Sequence, residues 1–119
     1  MRDKRFIAEH RGGPLRRAQH DQLMEWACGC AEHVLFLLGR NVDGRLRNAL
    51  RVAKEWKGNK ATVGEARKAS LDAIAVARES TSQTAIAVAR SIGHAVATAH
   101  MADHSLGAAW YALKAIENA

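Results

Sequence analysis

The amino-acid sequence predicts an all-α fold, a compact single-domain bundle of about five helices around an Ala-rich central helix. Alanine, which has the highest intrinsic helix propensity, occurs 24 times in the 119 residues, and 18 of these alanines lie from Ala61 onward. Proline occurs once, at Pro14. Apolar residues recur at helical spacing in segments that short polar or glycine-containing interruptions separate. A chain of this length can bury one core, so we expect a single domain.

The N-terminal part is predicted to divide into an irregular segment, residues 1–15, and the start of a helical domain, residues 16–119. A Gly-Gly-Pro sequence at 12–14 interrupts regular structure, and its proline suits the beginning of a helix. The first helix is expected over about residues 16–38, with Gly39 as a left-handed cap. Its apolar stripe consists of Leu23, Ala27, Cys30, Val34 and Leu37, widened by Met24, Ala31, Leu35 and Leu38.

The next two helices carry clear start signals. Asp43 is a suitable N-cap for a second helix that ends by Gly58. Thr62 and Glu65 form a capping box for a third helix that runs to about Glu79. The predicted buried face of the second helix is Leu46, Ala49, Leu50, Ala53 and Trp56. That of the third helix is Val63, Ala66, Ser70, Ala73, Ile74 and Ala77.

The fourth helix is the predicted centre of the bundle. It begins within the polar run 80–84 and extends to about Met101. Between Ala85 and Ala99 the only polar residues are Arg90, Ser91, His94 and Thr98. A helix that is apolar nearly all round should be buried. Small residues also repeat every four positions, which allows a second helix to approach closely; they are Ala85, Ala89, Gly93 and Ala97.

A fifth helix is expected over about residues 103–117. Its predicted core face consists of Leu106, Ala109, Trp110, Leu113 and Ile116. The pattern leaves open whether the fourth and fifth helices are separate or continuous. Trp26, Trp56 and Trp110 lie on different helices, and we expect most of them to anchor the core, although tryptophan is also enriched at interface hot spots.

The charge, the cysteines and the absence of long apolar stretches limit the classes of protein to which this sequence can belong. The net charge is +6 and the isoelectric point is near 9.9, which permits nucleic acid, anionic lipid or an acidic protein as a partner. Cys28 and Cys30 are too close in sequence to form a disulfide framework. The first ten residues carry charges and no apolar run of a signal peptide, and no apolar stretch reaches the ~20 residues of a membrane span. We therefore expect a cytoplasmic protein without a membrane partner.

Three histidines, His94, His100 and His104, are the first candidates for a functional cluster. On one continuous helix His94 would point about 240° away from His100, so the three side chains would not converge as zinc ligands do. The expectation is that they form hydrogen bonds across helix interfaces or contact a partner. No nucleophile elbow, paired carboxylates or Gly-rich phosphate loop frames a catalytic site. The sequence therefore predicts no catalytic residue, no metal site and no cofactor.

Two further sets of residues could bind a partner. The second helix and its exit are basic, and the row includes Arg47 and Arg51 as candidate contacts with an anionic partner. Interleaved aromatic residues, which single-stranded nucleic acid would require, are absent from this row. Phe36 lies on the side of the first helix away from the main stripe, so it is a candidate for exposed apolar surface and for a partner or self-association contact. On that helix the thiols of Cys28 and Cys30 would point about 200° apart, which favours packing over redox or metal chemistry.

Three segments together resemble one known family. They are Trp26-Ala-Cys-Gly-Cys-Ala-Glu-His-Val-Leu35, Arg45-Leu-Arg-Asn-Ala-Leu-Arg-Val-Ala-Lys-Glu-Trp56, and Gly93-His-Ala-Val-Ala-Thr-Ala-His100 continuing through Ala109 to Ala115. They are similar to the bacterial Imm-5-like putative immunity protein family over about residues 10–116. The resemblance implies a protein that binds a toxin and neutralises it, and it supplies no catalytic residues. The chain departs from the family at Phe36, where proline is usual, and at Asp43-Gly44, where an acidic pair is usual.

The function predicted from the sequence is therefore that of a non-enzymatic interaction protein of the immunity type, whose partner is a protein such as a cognate toxin. One alternative is a nucleic-acid-binding module that uses the basic second helix. A second alternative is a metal-dependent enzyme that uses His94, His100 and His104. The sequence also leaves homo-oligomer formation open.

Overall fold

A computed structural model describes residues 2–119 and confirms the all-α, single-domain bundle. The five α-helices are α1 (Arg17–His33), α2 (Gly44–Lys57), α3 (Val63–Glu79), α4 (Gln83–Ala97) and α5 (His104–Asn118). Short 3₁₀ turns cover Lys4–Phe6, Glu9–Arg11 and Leu35–Leu38. Among the described residues, no helix is both long enough and apolar enough to cross a membrane.

The hydrogen bonds predicted to begin α2, α3 and α4 are formed. The Asp43 carboxylate accepts a hydrogen bond from the Arg45 amide at 2.9 Å. Thr62 and Glu65 form a complete capping box. The Glu65 amide donates to the Thr62 hydroxyl and the Thr62 amide donates to the Glu65 carboxylate, each at 3.0 Å. The Ser82 hydroxyl accepts from the Ala85 amide and so places the start of α4 inside the polar run.

The helix α4 is the centre of the bundle, as the sequence predicts, because it packs against each of the other four helices. The side chains of Val88, Ile92 and Val96 are fully buried. A Cβ atom added at Gly93 would lie 2.8 Å from Ile74 Cδ1, so the missing side chain lets α3 approach α4.

The C-terminal end of α1 differs from the prediction. The α-helix ends at His33 instead of continuing to Leu38, and Leu35–Leu38 form a 3₁₀ turn that ends at Gly39, whose φ is +67°. Because a 3₁₀ turn has three residues per turn, it changes which side chains face inward. Leu35, Leu37 and Leu38 pack against the core, whereas Phe36 is 71% exposed.

The helices α4 and α5 are separate. The α-helical part of α4 ends at Ala97, before the predicted end at Met101, and a turn follows in which the Met101 amide donates to the Ala97 carbonyl. Asp103 does not cap α5 with its side chain. Its carboxylate accepts instead from Arg2 Nε at 3.1 Å, which ties the N-terminal segment to this turn.

The predicted core face of α5 is wrong. Four large apolar side chains of that face are 50–59% exposed: Leu106, Trp110, Leu113 and Ile116. The buried residues are the small ones, Ser105, Ala108, Ala112 and Ala115. Small side chains allow α5 to lie close to the small-residue surface of α4, so that the Ser91 hydroxyl of α4 donates directly to the Ala108 carbonyl at 2.7 Å.

Two of the three tryptophans are consequently not core anchors. Trp56 is buried, as predicted, but Trp26 and Trp110 are exposed. Trp26 of α1 lines a groove together with Leu113 and Ile116, so it lies on the same side of the bundle as these exposed α5 residues.

Candidate functional site

Four of the eight large apolar side chains that are exposed in the described residues lie on α5, and we call them the α5 face: Leu106, Trp110, Leu113 and Ile116. These residues recur at three- and four-residue spacing, so they form one continuous stripe along the helix. Trp26 of α1, which is 46% exposed, adds a large aromatic side chain beside this stripe. A stripe of large apolar side chains on a rigid helix is typical of a protein-binding surface.

A groove of about 520 Å³ runs between α1 and α5 beside the α5 face. Its lining is almost entirely apolar and includes Trp26, Cys30 and Val34 from the α1 side, and Leu113 and Ile116 from α5. Phe36 follows Val34 by two residues and is strongly exposed, which confirms the exposure that the sequence predicts for it. The groove gives a partner's side chain a concave place to insert.

The α5 face is electrically neutral, although the chain carries a net charge of +6. The two charged residues on the exposed side of α5, Lys114 and Glu117, form an ion pair at 3.3 Å. The Lys114 ammonium also lies 4.9 Å from the centre of the Trp110 ring, a cation–π distance. No uncompensated charge therefore has to be desolvated at the centre of this face.

The three histidines do come together, because the break between α4 and α5 removes the continuous helix on which they would diverge. His94 Nδ1 lies 3.0 Å from His104 Nδ1, and the His100 and His104 ring centres are 5.2 Å apart. The His94 ring is stacked on Tyr111 at 5.3 Å. A Cβ atom added at Gly107 would lie 2.5 Å from His94 Nδ1, so α5 needs a glycine where it passes this ring. Within residues 2–119 no three His, Cys, Asp or Glu side chains are arranged to hold a metal ion.

Burial lowers the pKa of each of these histidines below 6.5, and neighbouring positive charges add to this effect for His94 and His100. For His104, Arg2 lowers the pKa further, whereas Asp103 opposes the shift. A hydrogen bond between two Nδ1 atoms requires one donor and one acceptor, so it exists only while one ring is neutral. The arrangement joins α4 to α5 and is sensitive to protonation.

A fourth histidine, His20, has a structural role that the sequence pattern does not reveal. Its ring is buried, its Nε2 atom is hydrogen-bonded to the Thr98 carbonyl, and its ring centre lies 4.8 Å from that of Trp56. Burial is the main cause of its lowered pKa. The only signal in the sequence is its position, one helical turn before Met24, on the buried side of α1.

The basic residues of α2 lie on the surface, but most of them have carboxylate partners. Arg51 pairs with Glu55 at 2.6 Å, and Arg47 is exposed without an ion pair in the described part of the chain. The other pairs are Arg45 with Asp43 and Glu79, Lys54 with Glu32, and Lys57 with Glu25. A phosphate backbone bound at α2 would have to compete with these carboxylates.

The cysteines are free thiols on α1. Cys28 is buried against the core, and burial raises its pKa to about 12, so its thiol is protonated and unreactive at neutral pH. Cys30 is partly buried at the groove between α1 and α5. Both positions fit the packing role that the sequence predicts for them.

Comparison with known proteins links the chain to one family. The sequence model of the family described as Imm-5 like putative immunity protein matches residues 13–119. The comparisons with curated proteins and with solved structures gave no match.

Proposed function

Because the chain belongs to the Imm-5-like putative immunity protein family, we propose that it binds a toxin protein and neutralises it by covering part of its surface, without catalysis. The observation that carries this proposal is the α5 face, a row of large apolar side chains that a monomer leaves in water. The α5 face is the centre of the proposed contact, and the groove beside it receives side chains of the toxin.

The α5 face has the properties of a binding anchor. Removing apolar surface from water contributes roughly 25 cal/mol per Å², and tryptophan is among the residues that most often dominate interface energies. The backbone of α5 is already fixed against α4 and α1, so little conformational entropy is lost on binding. The exposed apolar side chains of the α5 face can form the centre of a standard interface, which covers about 800 Å² on each partner.

The partner that best fits this surface combines an apolar patch with a net acidic charge. The α5 face itself is neutral, whereas the whole chain carries +6, so a long-range field attracts an acidic toxin and the apolar contact then holds it. Phe36 offers a further exposed apolar side chain, and Arg47 on α2 offers a positive charge without an ion pair among the described residues. His94, His100 and His104 support the contact indirectly, because they fix α5 to α4.

The experiment first searches the neighbouring reading frames for a toxin gene. It then measures binding of that toxin domain by isothermal titration calorimetry, with Trp110→Ala and Leu113→Ala variants. A central tryptophan contributes about 2 kcal/mol or more, so we expect Trp110→Ala to weaken binding at least 30-fold and Leu113→Ala about tenfold. Leu71→Ala is the matched control, since Leu71 is 69% exposed on α3, outside this surface, and its removal should leave affinity unchanged.

Three results would overturn the proposal. The first is equal affinity of all variants for the toxin. The second is a dimer of this chain that Trp110→Ala dissociates while toxin binding is absent, because the α5 face would then be covered by a second copy. The third is salt-dependent binding to DNA or RNA that Arg47→Gln and Arg51→Gln weaken, with no binding of the toxin, which would indicate the nucleic-acid function instead.

A further inference from the structure

A cavity of about 220 Å³ lies at the end of the bundle where the N-terminal segment crosses α1, α2 and the turn between α4 and α5. Its lining shares no residue with the groove beside the α5 face. Three arginines, Arg2, Arg11 and Arg17, line it together with the aromatic rings of Phe6 and Trp56. The proposed immunity function uses none of these residues.

The outer wall of the cavity is a closed loop with fixed geometry. The Leu15 amide donates to the Ile7 carbonyl at 3.0 Å, and the Glu9 amide donates to the Leu15 carbonyl at 2.8 Å. A Cβ atom added at Gly13 would collide with the Ile7 carbonyl oxygen, so only glycine allows the loop to close this tightly. The backbone of this wall is therefore fixed by hydrogen bonds within the chain before any ligand binds.

Two of the arginines are held in place with donors left over. Arg17 lies 4.1 Å over the Trp56 ring and donates from Nη2 to the Trp56 carbonyl and from Nε to Asp21. Arg2 donates from Nη2 to the Phe6 carbonyl and from Nε to Asp103. In neither guanidinium does Nη1 have a hydrogen bond within residues 2–119. A guanidinium carries five N–H donors, so each retains donors for a ligand.

The third arginine adds an unpaired cation. Arg11 is exposed and forms no ion pair in the described part of the chain. Glu9 is the one carboxylate in the lining, so the lining carries three formal positive charges and one negative charge. Asp21 and Asp103 pair with Arg17 and Arg2 from outside the lining, so the three arginines and the three carboxylates balance in formal charge. Arg11 is the arginine of the lining that has no ion pair among the described residues.

We propose that this cavity binds a small molecule or ion through one oxyanion group, a phosphate or a carboxylate, held by the arginines, with any apolar part of the ligand against Trp56 and Phe6. Planar guanidinium groups match the oxygen geometry of both anions, and a bond between two ionised partners is stronger than a neutral one. The site lies apart from the α5 face, so its ligand can bind whether or not a toxin is present.

The test is a titration of the ¹⁵N-labelled chain with sodium phosphate, and separately with sodium acetate, at constant ionic strength maintained with sodium chloride. We expect saturable shifts of the Trp56 indole signal and of amides in residues 7–17, with a dissociation constant of about 1 mM or lower for the better anion. The stronger of the two responses identifies the chemistry as phosphate or carboxylate.

Two variants separate a specific site from general attraction of anions. Arg11→Gln should weaken binding at least fivefold without unfolding the chain, because Arg11 is exposed and unpaired. Arg47→Gln removes another exposed arginine, on α2, that has no ion pair among the described residues, and this variant should bind the anion as the parent chain does. Non-saturable shifts with both anions, or equal weakening by the two variants, would overturn the proposal.

Discussion

The helices α2 and α5 pack against the same central helix with opposite kinds of face. The buried face of α2 contains large side chains, Leu46, Leu50 and Trp56. The buried face of α5 contains Ser105 and three alanines, while its large side chains remain in water. The surface of α4 explains the difference, since its small residues let a helix with small side chains come close, as the direct Ser91 to Ala108 hydrogen bond shows. Which face of a helix is buried thus depends on the size of the side chains opposite as well as on their hydrophobicity.

The sharpest test of this comparison is the same substitution in both helices. Leu46→Ala should lower the free energy of unfolding by about 2–5 kcal/mol, because Leu46 is fully buried and its removal leaves a cavity. Leu113→Ala should lower it by less than about 1 kcal/mol, because Leu113 is more than half exposed. Urea denaturation measures both values. Similar losses for the two variants would mean that α5 buries its large residues after all.

A second test places a large side chain on the buried face of α5, where the residues are small. Ala108 is fully buried, and its carbonyl accepts from Ser91, so Ala108→Leu has no room for its side chain and should lower the free energy of unfolding by about 1–3 kcal/mol. Glu117→Leu adds a leucine to the exposed side of the same helix and should change stability by no more than about 0.5 kcal/mol. If Ala108→Leu were as stable as the parent chain in urea, the close approach of α4 and α5 would be refuted.

The sequence predicts most of the fold because its signals there are local. The caps at Asp43 and Thr62 and the small-residue repeat of α4 depend on neighbours within one or two turns, and each has the predicted role. The face of α5 could not be predicted from periodicity, since Leu106, Trp110, Leu113 and Ile116 have the spacing of a core stripe. Only the neighbouring surface of α4 decides that they stay outside.

The candidate site was only partly predictable for the same reason. The exposure of Phe36 is predicted, but from a position on α1 that Phe36 does not have, since α1 ends at His33 and Phe36 lies in the 3₁₀ turn that follows. The meeting of His94 and His104 depends on the turn that separates α4 from α5, and the pattern leaves that turn undecided. The cavity beneath the N-terminal segment gathers residues from distant parts of the chain, which no local spacing can indicate.

The smallest expected effect is the dependence of the free energy of unfolding on pH. It is also the effect most specific to the contact between α4 and α5. Burial lowers the pKa of His94, His104 and His20 in the folded chain below 6.5, so the unfolded chain binds more protons just below that pH. Stability is therefore full above pH 6.5 and decreases as the pH falls toward the folded pKa values, by at most ~1.4 kcal/mol per pH unit for each histidine. His94→Gln removes one of these groups, and urea denaturation between pH 7 and pH 5 should then show a shallower decrease. Arg45 lowers the pKa values of the Asp43 and Glu79 carboxylates, so their protonation changes stability only at more acidic pH. An unchanged slope in His94→Gln would mean that the His94–His104 hydrogen bond does not link protonation to the packing of α5 on α4.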